Sequence, residues 1–208
     1  MKGHRWFAAI YDRMLAPQEK KYLGALRAEM LSDIAGDVLE IGAGTGANFQ
    51  YYKSSAKVTA TEPDPFMLSR ARERAAGAAA EIGLHQVPVE NLPFPDGSFD
   101  FAVSTLVLCS VKDPRKALSE IKRILKPGGE LRLYEHVRYA NAIGGVVQDV
   151  ISPIWQWFGA GCHPNRDTGR LLYDAGFEIV SADVRKPAPP VPPMVFVRPH
   201  LQAVARRP

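Results

Sequence analysis

The sequence predicts an α/β fold in which one mostly parallel sheet carries helices on both faces. Three observations predict it. Short apolar runs alternate with stretches of helical spacing along most of the chain, which is the order of strand–helix–strand units. The run at 101–108 is apolar almost throughout, as a central parallel strand buried on both faces would be. A glycine-spaced turn follows the first run, at 38–41, as in doubly wound sheets.

The remaining elements follow from further apolar runs and helix breakers. Further strands are expected at 57–61, 84–89, 130–137 and 177–184, with a last strand formed by 194–197 and 201–205. Helices are expected at 45–52, from 65 to beyond 71, at 114–125, over 146–158 with a break near Pro153, and at 168–175. The proline-rich stretch at 186–193 is expected to be an extended loop.

Composition limits the class of protein. The chain has 208 residues, 46% of them hydrophobic, which suits a single domain over 1–208 with a full core. We expect a cytoplasmic protein, because no apolar run approaches the roughly 20 residues of a membrane span and no secretory signal is present. Lys and Arg form no run interleaved with aromatics, which argues against nucleic acid. Cys109 and Cys162 are far apart and outside any Cys-x-x-Cys pattern, so neither a metal site nor a disulfide is expected.

The glycine turn indicates the kind of ligand. Gly42, Gly44 and Gly46 follow the first strand, and glycine permits both a tight turn and close approach of a ligand to the backbone. Glu40 precedes them. A carboxylate there would repel the pyrophosphate of a dinucleotide, which disfavours a nicotinamide dehydrogenase, and would suit a cationic ligand. The pattern Glu-x-Gly-x-Gly-x-Gly resembles the first motif of the class I methyltransferases, which use S-adenosylmethionine.

This resemblance implies a fold and a cofactor. The fold is a Rossmann-like sheet of seven strands, mostly parallel, with an antiparallel last strand. The cofactor is S-adenosylmethionine, with Glu62 binding both ribose hydroxyls and Met67 either covering the adenine face or simply packing in the core. The expected cofactor-binding residues are Tyr11, Glu40, Gly42, Ala43, Gly44, Thr45, Gly46, Asn48, Glu62, Pro63, Met67, Val89, Glu90, Asn91, Thr105 and Leu106.

A second pattern narrows the resemblance. Leu-Pro-Phe-Pro at 92–95 and Asp-Gly-Ser-Phe-Asp at 96–100 follow the third predicted strand. This order is similar to the methyltransferase subfamily that includes the ubiquinone-pathway enzymes. Many members carry an aspartate at the position of Pro88, where it receives the adenine amino group. Glu90 or the backbone of Val89 is therefore expected to make that contact here.

Several short motifs give a sharper match. They are Thr-Leu-Val-Leu-Cys-Ser-Val at 105–111, Glu-His-Val at 135–137, Gly-Cys at 161–162 followed by Arg166 and Thr168, and Arg-Pro-His at 198–200. Together they resemble the methyltransferase-like thiol S-methyltransferases of animals, over about residues 38–205. Those animal members carry a hydrophobic N-terminal anchor, for which this sequence shows no apolar run. The resemblance implies in-line transfer of a methyl group to a small, apolar thiol.

The methyl site is expected where the fourth and fifth strands end. His136 is the candidate for taking the thiol proton, because histidine titrates near neutral pH; the alternative is a structural hydrogen-bond partner. Cys109 is expected to line the methyl site, or to act only as a small buried hydrophobe. A thiol of pKa about 8.5 is partly ionised at neutral pH, so a strong base is not required.

Two segments are expected to complete the site. Residues 1–35 are expected to form a helical lid in which Tyr11 covers the cofactor together with Trp6 and Phe7, and the alternative for this face is contact with a membrane surface. Residues 140–175, which include two tryptophans, are expected to wall the acceptor pocket.

Two other functions stay open at this point. One is N- or O-methylation of a lipid headgroup, a quinone precursor or another small molecule on the same fold. The other is a binding module that holds the cofactor without turnover, since intact binding motifs do not prove catalysis. The oligomeric state does not follow from the sequence.

Overall fold

The computed structural model describes residues 5–187 and 194–208. An α-helix separates β2 from β3 and β4 from β5, as the sequence predicts, whereas no α-helix lies between β1 and β2 or between β3 and β4. The elements in chain order are α1 (Arg5–Gln18), α2 (Gly24–Leu31), β1 (Gly36–Ile41), β2 (Ala56–Thr61), α3 (Pro65–Ala75), β3 (Glu81–His85), β4 (Phe99–Thr105), α4 (Pro114–Ile124), β5 (Leu125–His136), α5 (Ala142–Phe158), α6 (Thr168–Asp174), β6 (Glu178–Arg185) and β7 (His200–Arg206). A π-helical turn at Glu19–Leu23 joins α1 to α2.

The seven strands form one sheet in the order β3-β2-β1-β4-β5-β7-β6. The first five strands run parallel to their neighbours, and β7 is antiparallel to both β5 and β6. The expected seven-stranded, mostly parallel sheet with an antiparallel last strand is therefore confirmed. The chain moves outward from β1 on one side and from β4 on the other, which opens a crevice at the carboxyl ends of these two strands.

Helices cover both faces of the sheet, because side chains alternate along each strand. On one face, Leu39 and Ile41 of β1 pack in a buried cluster with Leu118 and other apolar residues of α4. On the other face, Val38 packs in a second cluster with Leu31 of α2. The central strands are buried on both sides, and the rigid sheet holds the crevice open at its carboxyl edge.

The helix predicted at 45–52 is not present. The chain instead forms a turn and then a short 3₁₀-helix at Phe49–Tyr51. Gly44 and Gly46 have φ angles of 58° and 81°, and an α-helix cannot continue through residues in this left-handed region. Because of these two glycines, helical structure begins only after the turn, at Phe49.

Two predicted strands have different ends. The strand predicted at 101–108 stops before Leu106, which has a φ of 60° and turns the chain out of the sheet. The strand predicted at 84–89 spans Glu81–His85 instead. Pro88 lacks the N–H that a strand ladder requires, which agrees with the earlier end.

Three predictions concern the C-terminal third. The stretch predicted as a strand at 194–197 is a 3₁₀-helix, and β7 alone forms the last strand. Helix α5 continues through Pro153 rather than breaking there, and it begins four residues earlier than the predicted 146. Most of the loop predicted at 186–193 lies outside the described residues.

One buried side chain attaches α5 to the rest of the fold. Gln148 donates hydrogen bonds through Nε2 to the carbonyls of Val137, Pro164 and Phe196, at 3.1, 2.9 and 2.8 Å. Its Oε1 accepts from the backbone N–H of Tyr139 at 2.7 Å. Four polar contacts from one amide fix the helix beside the crevice. The opposite face of α5 is apolar and exposed, at Ile143, Val146, Val150, Ile154 and Trp157.

Candidate active site

The glycine turn forms the floor of the crevice. A Cβ built on Gly42 would lie 2.5 Å from the side chain of Val107, so this glycine allows the loop after β4 to pack closely. A Cβ built on Gly44 would meet no described atom within 4 Å, and this glycine faces open space. Gly44 therefore leaves room for a ligand to approach its backbone.

Glu62 lies directly after β2, beside the glycine turn. It is buried, and its two carboxylate oxygens accept hydrogen bonds from the backbone N–H groups of Gly44 at 2.9 Å and Asp64 at 2.8 Å. Burial raises the pKa of this carboxyl, and the two backbone donors oppose that shift. Because each carboxylate oxygen can accept more than one hydrogen bond, Glu62 retains capacity for the hydroxyls of a ribose.

Glu40 lies beneath the glycine turn within a buried polar network. Its Oε1 accepts a hydrogen bond from Asn48 Nδ2 at 3.2 Å, and Asn48 Oδ1 accepts from Arg27 Nη1 at 2.6 Å. Glu40 Oε2 is buried beside the Tyr52 hydroxyl. Burial raises the pKa of Glu40 to about 7, and the Tyr52 hydroxyl and the charge of Arg27 oppose that shift. Neighbouring side chains of the protein thus hold this carboxyl in place.

Arg27 was missed at the level of the sequence. It lies on α2, is 5% exposed, and also forms an ion pair with Glu19 at 2.8 Å. Arginine within an amphipathic helix normally faces solvent, so nothing in the local pattern marks it. Its position becomes evident only when α2 packs beneath the glycine turn.

Helix α1 crosses the glycine turn and is attached there by one carboxylate. Asp12 accepts a hydrogen bond from the Thr45 hydroxyl at 2.7 Å and pairs with Arg74 of α3 at 2.8 Å. Tyr11, on the same helix turn, lines the crevice, and burial raises its pKa to about 12. The side chains of Trp6 and Phe7 lie outside the described residues.

The crevice is a single cavity of about 1260 Å³. Ligand pockets commonly measure roughly 300–1,000 Å³, so this volume has room for a cofactor and a second small molecule together. The predicted site residues that line it are Tyr11, Gly42, Gly44, Glu62, Pro63, Met67, Val89, Glu90, Leu106, Cys109 and His136. The predicted residues that do not line it are Glu40, Ala43, Thr45, Gly46, Asn48, Asn91 and Thr105.

The residues predicted to contact adenine lie partly in the cavity wall. Met67 is 7% exposed and lines the cavity, so core packing and ligand contact are compatible. Val89 and Glu90 also line the cavity, whereas Asn91 is exposed and lies outside its wall. Glu90 Oε1 accepts from the backbone N–H of Lys112 at 3.1 Å, which connects this end to the loop before α4.

Two cysteines and a histidine meet in the wall of the same cavity. His136 Nδ1 lies 3.6 Å from Cys109 Sγ and 3.5 Å from Cys162 Sγ. The pKa of Cys162 is lowered to about 4 by hydrogen bonds from Cys109 and His136, and the pKa of Cys109 is raised by its hydrogen bond to Cys162 and by burial. The distance between the cysteines in the sequence gave no indication of this contact, because the fold alone brings the two loops together.

Glu135 positions this part of the cavity wall. It is fully buried at the end of β5 and accepts hydrogen bonds from the Ser104 hydroxyl at 2.6 Å, from Val107 N at 3.0 Å and from Cys109 N at 3.1 Å. These bonds hold the loop that begins with the left-handed Leu106. The sequence placed Glu135 at a strand end but did not reveal this role.

His200 packs against the cluster from β7. Its ring centroid lies 4.4 Å from that of His136 and 4.7 Å from that of Tyr134. Its Nδ1 donates to the Arg198 carbonyl at 2.7 Å, which fixes the proton on that nitrogen. Burial and the adjacent His136 lower the pKa of His200 to about 3, so this ring is neutral at physiological pH.

Comparison with known proteins identifies the family. A family profile described as a methyltransferase domain matches residues 39–133. Human thiol S-methyltransferase TMT1B is 36% identical over 208 residues, covering 92% of this chain and 82% of the human protein. The chain belongs to the S-adenosylmethionine-dependent methyltransferases.

Two further proteins resemble this methyltransferase. Phosphatidylethanolamine N-methyltransferase of Cereibacter sphaeroides is 35% identical over 154 residues, covering 73% of the present chain and 75% of the bacterial protein. A crystal structure of an S-adenosylmethionine-dependent methyltransferase from Thermotoga maritima matches with a TM-score of 0.71 and 25% identity, covering 98% of both chains. Within the described part of the methyltransferase, no helix is long and apolar enough to cross a membrane.

The crevice of the methyltransferase fits S-adenosylmethionine. The open space at Gly44 admits a ligand to the backbone, and Glu62 offers acceptors for a ribose. Glu40 lies in the buried network beneath the turn and does not line the cavity. Gly44 and Glu62 follow the neighbouring strands β1 and β2, so they lie side by side at the carboxyl edge of the sheet.

Replacing Glu62 tests this cofactor site. Glu62→Ala should weaken S-adenosylmethionine binding roughly 10- to 100-fold, because a hydrogen bond to a charged group contributes about 1.5–3 kcal/mol. Isothermal titration calorimetry measures the change. Glu73→Ala is the matched control, since Glu73 is exposed on the adjacent helix α3. Unchanged affinity in Glu62→Ala would remove Glu62 from the site.

Glu40 should make stability depend on pH. Its pKa is about 7 in the fold against 4.5 as a free group, so ionisation opposes folding. The unfolding free energy of the ligand-free protein should therefore contain a contribution that is complete below pH 4.5 and falls by about 3 kcal/mol as pH rises to 7. Glu40→Gln should abolish this decline, measured by urea unfolding at pH 5 and pH 8. Parallel pH profiles for the two proteins would contradict the raised pKa.

Proposed function

We propose that this methyltransferase transfers a methyl group to the sulfur of a small, apolar thiol. The observation that carries the proposal is the composition of the cavity wall around Cys109, His136 and Cys162. This wall consists of the loop after β4, the end of β5, residues 155–163 and residues 197–200. Its charged side chains among the described residues are Lys112, Asp113 and Arg198, so basic groups outnumber acidic ones. Such a wall suits a neutral thiol, which requires no counter-ion, better than a cationic amine.

The arrangement suits an in-line displacement. When bound, S-adenosylmethionine supplies an activated methyl group on a sulfonium. Glu62 and the glycine turn form one part of the cavity wall, and the cysteine–histidine cluster forms another, so a bound acceptor is aligned between them. Alignment of this kind contributes up to roughly 7–11 kcal/mol to lowering a barrier. Trp155 lines the cavity and packs edge-on against Phe196, with ring centroids 5.1 Å apart, which gives the acceptor side an aromatic surface.

His136 is the candidate for accepting the thiol proton. It lines the cavity at the end of β5, and its Nδ1 faces both sulfurs. Cys109 lines the same wall, but its raised pKa keeps it protonated and makes it a poor nucleophile. In the absence of a bound metal, the proton can therefore pass to His136 while Cys109 shapes the methyl site.

Two segments have structural roles in this proposal. Helix α1 acts as a lid over the cofactor, which the contacts of Asp12 with Thr45 and Arg74 support. Residues 140–175 act as the acceptor wall, and the positions of Trp155 and Cys162 at the cavity support this role. The whole chain, 1–208, is then one functional domain.

The human relative supports the choice of acceptor. Its name describes a thiol S-methyltransferase, and the chain covers 82% of its length at 36% identity. A second candidate is N-methylation of a lipid headgroup. The name of the Cereibacter sphaeroides relative describes that activity, and the exposed apolar face of α5 would suit a lipid surface.

A substrate panel tests the proposal directly. Labelled S-adenosylmethionine is supplied with small alkyl and aryl thiols, matched amines, phenols and phosphatidylethanolamine vesicles. We expect labelled thioethers and no labelled amine or lipid. Labelling of phosphatidylethanolamine or amines alone would reject the thiol acceptor and leave the methyltransferase assignment intact.

The pH profile of a histidine variant tests the proton acceptor. If His136 accepts the thiol proton, His136→Ala should lose roughly 10²- to 10⁴-fold in rate below the thiol pKa and recover above it. His163→Ala is the control, because His163 lines the same cavity without belonging to the cluster. An equal loss at every pH would exclude a proton-accepting role.

A further inference from the structure

Three potential metal ligands converge on the acceptor wall. Cys109 follows β4, His136 ends β5, and Cys162 lies in the loop between α5 and α6. One ligand atom from each residue lies within 4.8 Å of the other two. All three residues line the cavity, although Cys109 and Cys162 are buried. Separate elements thus direct two sulfurs and one nitrogen to a common point.

The spacing of these atoms matches a tetrahedral zinc site. With Zn–S near 2.3 Å and Zn–N near 2.05 Å, a tetrahedral angle places sulfur and nitrogen about 3.6 Å apart. The two observed distances from His136 Nδ1 are 3.6 Å to Cys109 Sγ and 3.5 Å to Cys162 Sγ. The ligands could therefore hold the ion with little movement of the backbone.

The surrounding structure holds each ligand in place. The backbone N–H of Cys109 donates a hydrogen bond to the Glu135 carboxylate at 3.1 Å, and the carbonyl of Cys109 accepts one from the backbone N–H of His163 at 2.7 Å. The backbone N–H of Cys162 donates to the carbonyl of Gly159 at 3.0 Å. The His136 ring packs on the buried His200 ring. Such support is typical of metal sites, where the groups around the ligands fix their orientation.

We propose that Cys109, His136 and Cys162 bind one Zn²⁺ ion whose fourth coordination position opens into the cavity and receives the sulfur of the acceptor. Two thiolates and one imidazole are an established ligand set for catalytic zinc with an open position. Binding of the ion follows from the cluster alone. The role of the fourth position rests on the thiol acceptor proposed above.

Zinc changes how the acceptor loses its proton. The acceptor thiol releases its proton to water as its sulfur binds the ion, since metal coordination stabilises thiolate. The sulfur then forms a bond to the methyl carbon, the sulfonium carbon–sulfur bond breaks, and its electron pair stays on the departing S-adenosylhomocysteine. The thioether product is neutral, binds zinc more weakly than thiolate, and leaves. His136 is then a ligand and not the proton acceptor.

Metal binding can be measured without turnover. The full-length protein, purified under reducing conditions and stripped with a chelator, is titrated with Zn²⁺ against a chromophoric chelator and with Co²⁺ by absorption spectroscopy. We expect one ion per chain and thiolate-to-cobalt charge-transfer bands. Cys162→Ser should weaken Zn²⁺ binding by roughly 100-fold or more, since loss of supporting groups alone costs about 10- to 100-fold. His85→Gln, a change at an exposed position of β3 away from the cavity, should bind as the wild type does.

A control must distinguish loss of the zinc site from loss of the fold. Cys162→Ser must retain S-adenosylmethionine binding by calorimetry, which shows that it folds; Cys109→Ser is the substitute if it does not. Absence of stoichiometric metal, equal binding by the folded variant, or a Cys109–Cys162 disulfide in the reduced preparation would overturn the zinc site.

The acceptor role has its own readouts. Added thiol should shift the absorption bands of the cobalt-substituted protein. Removal of the metal should abolish thiol methylation, and added Zn²⁺ should restore it. His136→Ala should lose activity equally at all pH values. Full methylation by the stripped enzyme would overturn the zinc role and leave the thiol function standing. A metal-binding protein that methylates no thiol would instead reject the proposed function and leave the metal site standing.

Discussion

The buried carboxylate of Glu135 is the interaction on which the acceptor end of this protein depends. A carboxylate in the interior is costly unless hydrogen bonds compensate it, and here a serine hydroxyl and two backbone N–H groups do so. Those donors belong to the end of β4 and to the loop after it. One side chain on β5 therefore holds the loop through which the chain leaves the sheet after the neighbouring strand β4. It supports the loop that begins with the left-handed Leu106 and holds the backbone of Cys109.

The sequence was sufficient for most of the sheet, because strands follow from short-range patterns. Apolar runs identified the strands, and Asp64 with Pro65 marked the start of α3, where the Asp64 carboxylate accepts from two backbone N–H groups. The position of Glu62 beside the glycine turn was predictable because Glu62 directly follows β2. The exact ends of strands and helices were harder to predict, since the left-handed turns at Gly46 and Leu106 depend on tertiary contacts.

The acceptor end was harder to predict because its residues lie far apart in the chain. The motif containing Cys109 and the one containing Cys162 were both recognised, but nothing in their spacing indicated that their sulfurs would share His136 as a neighbour. The buried position of Arg27 was not predicted for a similar reason, because α2 places Arg27 against Asn48, which lies after the glycine turn. Contacts of this kind follow from topology, which periodicity does not encode.

The family profile matches only part of the chain, and this bears on which part of the site can change in sequence. Residues 39–133 include Glu40, the glycine turn, Glu62 and the adenine end, whereas Trp155 and Cys162 fall outside them. Helix α5 is attached through the amide of Gln148 and contributes little to the two main apolar clusters. We infer that residues 140–175 can vary separately from the matched region, which keeps the loop with Cys109. Changes at 140–175 would then retune acceptor choice while Glu62 and the glycine turn stay where they are.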